Sequence, residues 1–530
     1  RETSHLAPLL ARRLHLQYPN MPIIKSTIDI SLQSTIEDIA INMEGRLPPK
    51  GSMAILVVDH TDMKVKAYIG SIDFNNNQRY GQVDMIQAWR SPGSTLKPFL
   101  YGLAIDNGMI HSESLLQDIP RLVSDYRPAN FDTGFNGPVS ASEALSRSLN
   151  IPAVQLLELY GSNRFTAKLY QAGLQLKSFG KTPNISYILG GASTRLDQLV
   201  AAYSAFARHG EVGRLRFTSD EPLFNKPLLS RGSAWIIRRI LAADKPIANR
   251  KLVSNIVPLA YKTGTSYGYR DAWAIGINAR YLIGIWVGRP DGTPVAGQYG
   301  RVSAVPILQQ VHQILLNREY NKQRILPSDP QPDTVNMQMI CWPTGEALTK
   351  DDNNCHRQRN AWILNGIIPQ TLNTGSELQY NQYQLTKMTV WINEKGYRVA
   401  ADCPNAQKKQ IAIWPIGLEK WLIPNERRDA LIPEIDSECP IISESHFSPL
   451  VINGLIDQQE LRPLPDRNKV RLTLSSLGGK GQRWWFLDGQ LVKMSSEGQS
   501  FEMELKQKGR HSLLLMDEVG QIERISFTLE

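Results

Sequence analysis

Three short runs in the first half of the chain hold the side chains that acyl transfer from an unactivated amide requires: Ser94-Thr95-Leu96-Lys97, Ser148-Leu149-Asn150 and Lys262-Thr263-Gly264-Thr265. Such chemistry needs a nucleophile, a base for its proton, donors for the developing oxyanion and an acid for the leaving amine. Ser94 and Lys97 are three residues apart, so on a helix they share a face and the hydroxyl can hand its proton to the amine. This requires an ammonium disfavoured by burial or by a neighbouring cation, so that its pKa falls toward working pH. Pro98 is tolerated in a first helical turn, where its missing N–H has no helical partner to lose, and this places the helix start close to Ser94, behind the Pro92-Gly93 turn. The same start aims free N–H groups at a carbonyl poised over Ser94.

Each run also has a plainer reading. Ser178-Phe179-Gly180-Lys181 repeats the Ser94 to Lys97 spacing, but it sits in a loop signature with Gly180 and Pro183. Ser94, by contrast, leads into Phe99, Leu100, Leu103, Ala104 and Ile105, an apolar pattern suited to a buried helix. Ser148-Leu149-Asn150 is expected to close a helix running from Ser142, with Asn150 as its cap and Pro152 as its stop. Lys262-Thr263-Gly264-Thr265 adjoins the strand-like stretches Ala272 to Ile277 and Tyr281 to Val287 and reads as an edge strand. A lysine there guards against aggregation; alternatively the edge adds an extended peptide by main-chain bonds while Lys262 and Thr265 receive a terminal carboxylate. Gly264 lets backbone approach backbone. All three runs in this order favour the chemical reading.

The likeness extends past these runs. Ser26-Thr27-Ile28-Asp29 with Leu32-Gln33, the hairpin pair Met53 to Asp59 and Lys64 to Ser71, the stretch from Trp89-Arg90-Ser91 through Pro98-Phe99, Tyr126-Arg127-Pro128-Ala129-Asn130 and Gly190-Gly191-Ala192 resemble the landmarks of one family. Residues 25 to about 315 resemble the transpeptidase domain of class A penicillin-binding proteins, whose motif set is S-x-x-K, S-x-N and K-T-G. Trp362-Ile363-Leu364-Asn365-Gly366, followed by a small β-rich terminal module, is similar to the 1C type.

That resemblance implies a penicillin-binding, serine β-lactamase-like transpeptidase fold. It implies Ser94 as the acylated nucleophile, Lys97 as its proton acceptor, Ser148 relaying a proton toward the leaving amine, and Asn150 holding Lys97 and the substrate amide. Lys262 completes the relay, Thr263 and Thr265 bind the substrate or antibiotic carboxylate, and the backbone N–H groups of Ser94 and Thr265 form the oxyanion hole beside Gly264. Where the family usually has a second threonine this chain has Ser266, which keeps the hydroxyl. The implied reaction is attack on a D-Ala-D-Ala stem peptide of peptidoglycan, release of D-Ala and transfer to a neighbouring stem amine, with β-lactams acylating the same serine. The alternatives are a penicillin-binding sensor or scaffold, or a D,D-carboxypeptidase with little cross-linking. No cofactor or metal is implied. Relatives carry an N-terminal anchor and a glycosyltransferase domain, whose acidic motifs are absent here; with Arg1 in place of an initiator methionine, the chain reads as a periplasmic fragment or processed form of an anchored protein, without glycan polymerisation.

Composition narrows the partners. The excess of 59 basic over 50 acidic residues, or +9, suits a polyanionic wall or lipid surface. Nucleic acid is not indicated, because the basic residues are scattered without an aromatic-interleaved stripe. No run reaches the roughly 18 apolar residues of a membrane span; Ala272 to Val287 is broken by Asn278 and Arg280. The nine histidines lack paired spacing, and the four cysteines, at 341, 355, 403 and 439, lie outside the proposed catalytic region, so neither a zinc site nor a cysteine nucleophile is expected. In an oxidising compartment two disulfides follow. Of three connectivities, Cys341 with Cys355 and Cys403 with Cys439 is the expected one; closing the first loop is worth about 3 kcal/mol.

The elements that must position the site read as multidomain α+β, helices packed on an antiparallel sheet. Residues 1–24 form a basic amphipathic lead, expected to pack as a helix, and 25–325 the transpeptidase domain. Pro327, Pro330 and Pro332 open a β-rich connecting region, 326–440. In 441–530 five alternating stretches and an Asp488-Gly489 hairpin turn predict a small immunoglobulin-like β-sandwich, a surface for envelope protein partners. Its Gly478-Gly479-Lys480-Gly481 run reads as a turn rather than a phosphate loop. Trp484 and Trp485 face opposite sides of a strand, one in the core and the other free to meet glycan or a partner.

Overall fold

The computed structural model describes residues 6–119, 134–178, 182–242, 258–323, 329–349, 354–372, 386–439, 450–462, 470–479, 481–496, 498–518 and 521–529. Tyr126 to Asn130, residues 179–181 of the second S-x-x-K run, and Lys480 lie outside them.

Helices α1 (Pro8–Gln17) and α2 (Ile30–Met43) lead into the hairpin β1 (Ser52–Asp59) and β2 (Lys64–Ile69). A single 3-10 turn, Gly93–Leu96, runs into α3 (Lys97–Asp106). The helical lobe continues through the short pair β3 (Leu115–Asp118) and β4 (Gly137–Ser140), then α4 (Ala141–Ser146), α5 (Asn150–Tyr160), α6 (Ser162–Gln171) and α7 (Leu196–Tyr203). It closes with the pair β5 (Glu211–Gly213) and β6 (Asn225–Pro227) and with α8 (Arg231–Ala242). Strands β7 (Ala260–Thr265), β8 (Asp271–Ile277) and β9 (Tyr281–Gly288) return to the sheet, before α9 (Gly300–Ser303) and α10 (Val305–Asn321).

The main sheet is antiparallel throughout, in the order β2-β1-β9-β8-β7, so the Lys262 strand is indeed an edge. Every residue of β1, β8 and β9 is buried. The cause is cover on both faces, which turns half-apolar strands into continuous apolar runs. On one face Leu56, Val58, Trp273, Ile275 and Trp286 join the core of the helical lobe. On the other Ile55, Val57, Ile283 and Ile285 pack against Ile36 and Ile39 of α2 and Leu308 and Val311 of α10. Burying each such side chain contributes roughly 1.5–3 kcal/mol, which makes the sheet a rigid platform for its edge. The lead helix packs on the same domain: Leu9, Leu10 and Leu14 enter the lobe's core, and the Arg13 guanidinium lies 4.2 Å from the Phe217 ring centre.

Beyond residue 326 the two expected disulfides are present, Cys341–Cys355 and Cys403–Cys439. Hairpins Val335–Trp342 with Arg357–Leu364 and Lys387–Ile392 with Gln407–Ala412 occupy the connecting region. The terminal module has a three-stranded and a five-stranded sheet around Leu474, Trp485, Leu505, Leu513, Leu515 and Phe527. Asp488 and Gly489 take positive φ and turn the hairpin Arg483–Leu487 into Gln490–Ser495, a strand the sequence pattern did not mark. Trp485 is core. Trp484 is buried too, against Phe486, Leu514 and Met516, which removes it as an exposed glycan platform. Among the described residues no helix is long and apolar enough to cross a membrane.

Candidate active site

Ser94 stands in the 3-10 turn immediately ahead of α3, with Pro98 in that helix's first turn. The turn is pinned on every side. Trp273 Nε1 donates to Ser91 O at 2.7 Å, Ser91 Oγ to Gly190 O at 2.7 Å, Thr95 Oγ1 to Pro92 O at 2.9 Å, and Tyr203 OH to Thr95 O at 2.6 Å. Gly93, at φ 54°, is seated on the end of β7: a Cβ there would lie 2.5 Å from Thr265 O and 2.6 Å from Thr265 N. A Cβ on Gly264 would lie 2.3 Å from Pro92 O. Two glycines therefore bring the backbone of the Ser94 turn against that of the Lys262 strand, the close approach that residues with a Cβ forbid.

The sequence reading of the middle run needs correcting. Helix α4 ends at Ser146, and Leu149 N–H returns to Ala144 O at 2.9 Å while Ser148 N–H returns to Leu145 O at 3.1 Å. This is the paired closure in which the residue after the cap turns left-handed, a place usually held by glycine. Here it is Ser148, at φ 63°. Asn150 does not cap that helix, and Pro152 does not stop it. Asn150 instead begins α5, with Pro152 in its first turn, where a proline loses no helical bond. The reversed backbone turns the Ser148 carbonyl toward one lysine and its hydroxyl toward another.

Lys97 Nζ donates to Ser148 O at 2.8 Å, Leu149 O at 3.0 Å and Asn150 Oδ1 at 2.7 Å. Lys262 Nζ donates to Ser148 Oγ at 2.7 Å and to Thr263 O at 3.0 Å. Both lysines are buried. Burial, followed by the charge of Lys262, holds the Lys97 pKa well below the usual lysine value, with Asp118 opposing the shift. This is the direction that a proton acceptor needs. No hydrogen bond joins Ser94 Oγ to Lys97 Nζ among the described residues; three acceptors of the 148–150 segment take its donors instead.

On β7 the alternation of a strand places Lys262 and Gly264 on one side, Thr263 and Thr265 on the other. Thr265 Oγ1 accepts from Gly300 N–H at 3.1 Å, tying the strand to α9. Ser266 is turned inward: it is buried, and its hydroxyl accepts from Asp271 N–H at 2.8 Å inside the β7–β8 hairpin. Ser94, Lys97, Ser148, Asn150, Lys262, Gly264 and Thr265 thus meet along one seam between the helical lobe and the sheet edge.

The comparisons with known proteins match the same regions. The penicillin-binding protein transpeptidase domain matches residues 53–291, the 1C linker domain 334–363, the 1C second linker domain 381–430, and the penicillin-binding protein C-terminus family 442–527. Penicillin-binding protein 1C of Escherichia coli (strain K12) is 50% identical over 531 residues, covering 100% of this chain and 68% of that protein. The chain belongs to the penicillin-binding protein 1C family. Penicillin-binding protein 1A of Pseudomonas aeruginosa is 25% identical over 49% of the chain and 39% of its own length. In fold, this family member is similar to the PonA1 protein from Mycobacterium tuberculosis in complex with penicillin V, with a TM-score of 0.50 at 22% identity over 61% of this chain and 98% of that one.

Several residues that build the site carried no signal as single letters. Asp118 ends β3 fully buried, its Oδ2 accepting from Asn136 N–H at 2.9 Å and Asn136 Nδ2 at 2.6 Å. Trp273, Tyr203 and Gly300 act through contacts far away in sequence. Ser91, Gly190 and Trp273 lie within stretches that the sequence marks, but nothing in it singles them out as parts of the site.

Proposed function

We propose that this penicillin-binding protein is a serine D,D-transpeptidase of peptidoglycan whose acyl-enzyme forms on Ser94. Ser94 Oγ attacks the carbonyl carbon of the penultimate D-Ala, and its proton passes to Lys97 Nζ. The backbone N–H groups of Ser94 and Thr265 stabilise the oxyanion. As the C–N bond breaks, Ser148 delivers a proton to the departing D-Ala amine and is resupplied by Lys262. An amine of a second stem then attacks the ester carbonyl and gives its proton through Ser148 to Lys262; as the C–O bond to Ser94 breaks, Lys97 returns the proton it took to Ser94 Oγ and the new amide leaves. Lys97 must release one acceptor of the 148–150 segment to present its lone pair to Ser94 Oγ. Thr263 and Thr265 take the substrate carboxylate along the exposed edge of β7, and a β-lactam opens its ring on Ser94 by the same steps.

The observation that carries this reading is the bridging of two buried lysines by Ser148 beside the Gly93–Thr265 contact. We further infer a division into lead (1–24), transpeptidase domain (25–325), connecting region (326–440) and β-sandwich (441–530), working in the periplasm, where both disulfides are stable, with envelope proteins meeting the terminal module.

The test is intact mass after exposure to a fluorescent β-lactam, with Ser94→Ala alongside. Stoichiometric labelling of the wild type alone supports the acyl-enzyme; equal labelling of both ends it. Incubation with stem-peptide donor and acceptor then separates the activities: cross-linked product supports the transpeptidase, free tetrapeptide alone a D,D-carboxypeptidase, and stable acylation without turnover a sensor.

A further inference from the structure

The second linker and the terminal module meet at the 3-10 turn Ile416–Trp421, and a cleft of about 290 Å³ opens between them. Four cationic side chains line it: Lys420 and Arg427 from the linker, Arg510 and Arg524 from the module. Its two carboxylates are occupied. Glu419 is buried, accepts from Arg428 N–H at 2.9 Å and pairs with Arg524 at 3.3 Å. Asp488 holds His511 Nδ1 at 2.6 Å and accepts from Ser512 N–H at 2.8 Å. Lys420, Arg427 and Arg510 make no close ion pair among the described residues, although Arg427 Nε donates to Leu422 O at 3.3 Å and the charge of Arg510 acts on Asp457, whose carboxylate accepts from Ser526 N–H at the cleft's rim. Three cations outside any close ion pair, Lys420 and Arg510 of them solvent-exposed, therefore face one small space from two modules.

We propose that this cleft binds a phosphate-type anion, a phosphoryl or pyrophosphoryl group, and that its occupancy is felt at the Lys97 site. A monocarboxylate would leave two cations uncompensated, whereas a multiply charged phosphoryl group neutralises them, and arginine forks match its oxygens. The volume is at the small end for ligand sites, enough for one or two phosphoryl groups with a stub of what carries them.

The route to the catalytic seam is contact by contact. A Cβ on Gly137, at φ 74°, would lie 2.4 Å from Trp421 Cγ, and one on Gly417 would lie 2.6 Å from Ile119 Cδ1. The turn is thus seated on the β3–β4 hairpin, where Gly137 pairs with Asp118. On its other side the Gly489 turn of the module touches Trp421. An anion that draws the module and linker together presses on the strand that ends at Asp118, a carboxylate whose charge acts on Lys97.

Isothermal titration with inorganic pyrophosphate and with phosphate tests the cleft on the full chain. Saturable pyrophosphate binding is expected, at least tenfold weaker in R427Q/R510Q and unchanged in the control Lys493→Gln. No saturable binding, or equal affinity in the double variant, overturns the site. Flotation with phosphatidic acid and phosphatidylcholine vesicles identifies the source: capture by the former that R427Q/R510Q loses assigns a lipid headgroup, and pyrophosphate binding without capture assigns a soluble phosphoester. The coupling rests on the Ser94 reading above and is measured separately, as the acylation rate with and without pyrophosphate. A change of at least twofold, lost in R427Q/R510Q, supports it, and an unchanged rate with binding intact overturns it. A chain that takes no β-lactam sinks the Ser94 reading, while the titration still decides the cleft.

Discussion

Ser148 presents its hydroxyl to Lys262 Nζ at 2.7 Å from a left-handed backbone. A left-handed non-glycine residue costs roughly 1–2 kcal/mol, and the closing turn of α4 would accept glycine without that cost. Strain kept at this position marks the hydroxyl as the reason for the serine. Ser148→Gly is therefore expected to be about 1 kcal/mol more stable than Ser148→Ala in denaturant titration. Both variants should lose about 10²-fold or more in β-lactam acylation, the usual scale for removing a proton-transfer group. Equal stabilities would show that the backbone carries no strain; undiminished acylation in either would remove Ser148 from the relay.

The Lys97–Lys262 pair sets a pH profile. Burial first and Lys262 second lower the Lys97 pKa, so the neutral amine becomes available far below 10.5. Acylation should rise with pH through the lowered value and then level. Replacing Lys262 with glutamine removes a repelling charge, which lets the Lys97 pKa climb. The rising limb of the acylation profile must then move to higher pH, on top of any drop in the plateau. A limb that stays in place, measured by stopped-flow labelling across the pH range, would mean that Lys262 does not act on Lys97 electrostatically.

Acid sensitivity comes from three buried histidines. His60, His111 and His312 are each lowered to about 4 by burial, with Arg238 adding to the effect on His60. Their unfolded values lie near 6.5, so between pH 6.5 and 4 the unfolded chain binds more protons than the native one. The stability these groups contribute is complete above pH 6.5 and is lost as pH falls toward 4, at up to roughly 3 kcal/mol each. Denaturation midpoints should fall steeply over that window. His60→Gln and His312→Gln should each flatten the slope; an unaltered slope would show that those imidazoles already titrate normally in the native state.

What could be read from the sequence, and what could not, divides by distance along the chain. The runs at 53–59, 272–277 and 281–287 announced a sheet because apolar side chains at consecutive positions have few other uses, and an adjoining polar strand with lysine fits its edge. Pro152 misled because a proline just after one helix and a proline in the first turn of the next look alike locally. The left-handed turn at Ser148 carried no mark, since serine is the wrong residue for a left-handed cap and only the waiting Lys262 explains it. The rotation of Lys97 toward residues 148–150 is a matter of three acceptors meeting across the seam, which spacing from Ser94 could not encode. One of Trp484 and Trp485 reads as free from the sequence because strand alternation sees two faces and not the second apolar cluster that covers Trp484 on the outer one.

The seam itself depends on Gly264. A methyl group there would meet Pro92 O at 2.3 Å and Thr95 Cγ2 at 2.7 Å, and neither can retreat, since Pro92 O holds Thr95 Oγ1 and Tyr203 holds Thr95 O. Among the described residues strand β7 has one ladder neighbour, β8, so in Gly264→Ala the edge strand must yield while the buried strands stay in place. The displacement is greatest at Gly264 and Thr265 and carries Thr265 N–H away from Ser94, while Lys262 keeps its bond to Ser148 Oγ. The expected phenotype is loss of one oxyanion donor, about 10²–10³-fold in acylation rate, with the limb of the pH profile where the wild type has it. Proton transfer and oxyanion stabilisation are thereby separable in two variants: Lys262→Gln moves the limb, and Gly264→Ala lowers the plateau. A Gly264→Ala protein acylated at the wild-type rate would place the second oxyanion donor somewhere other than Thr265.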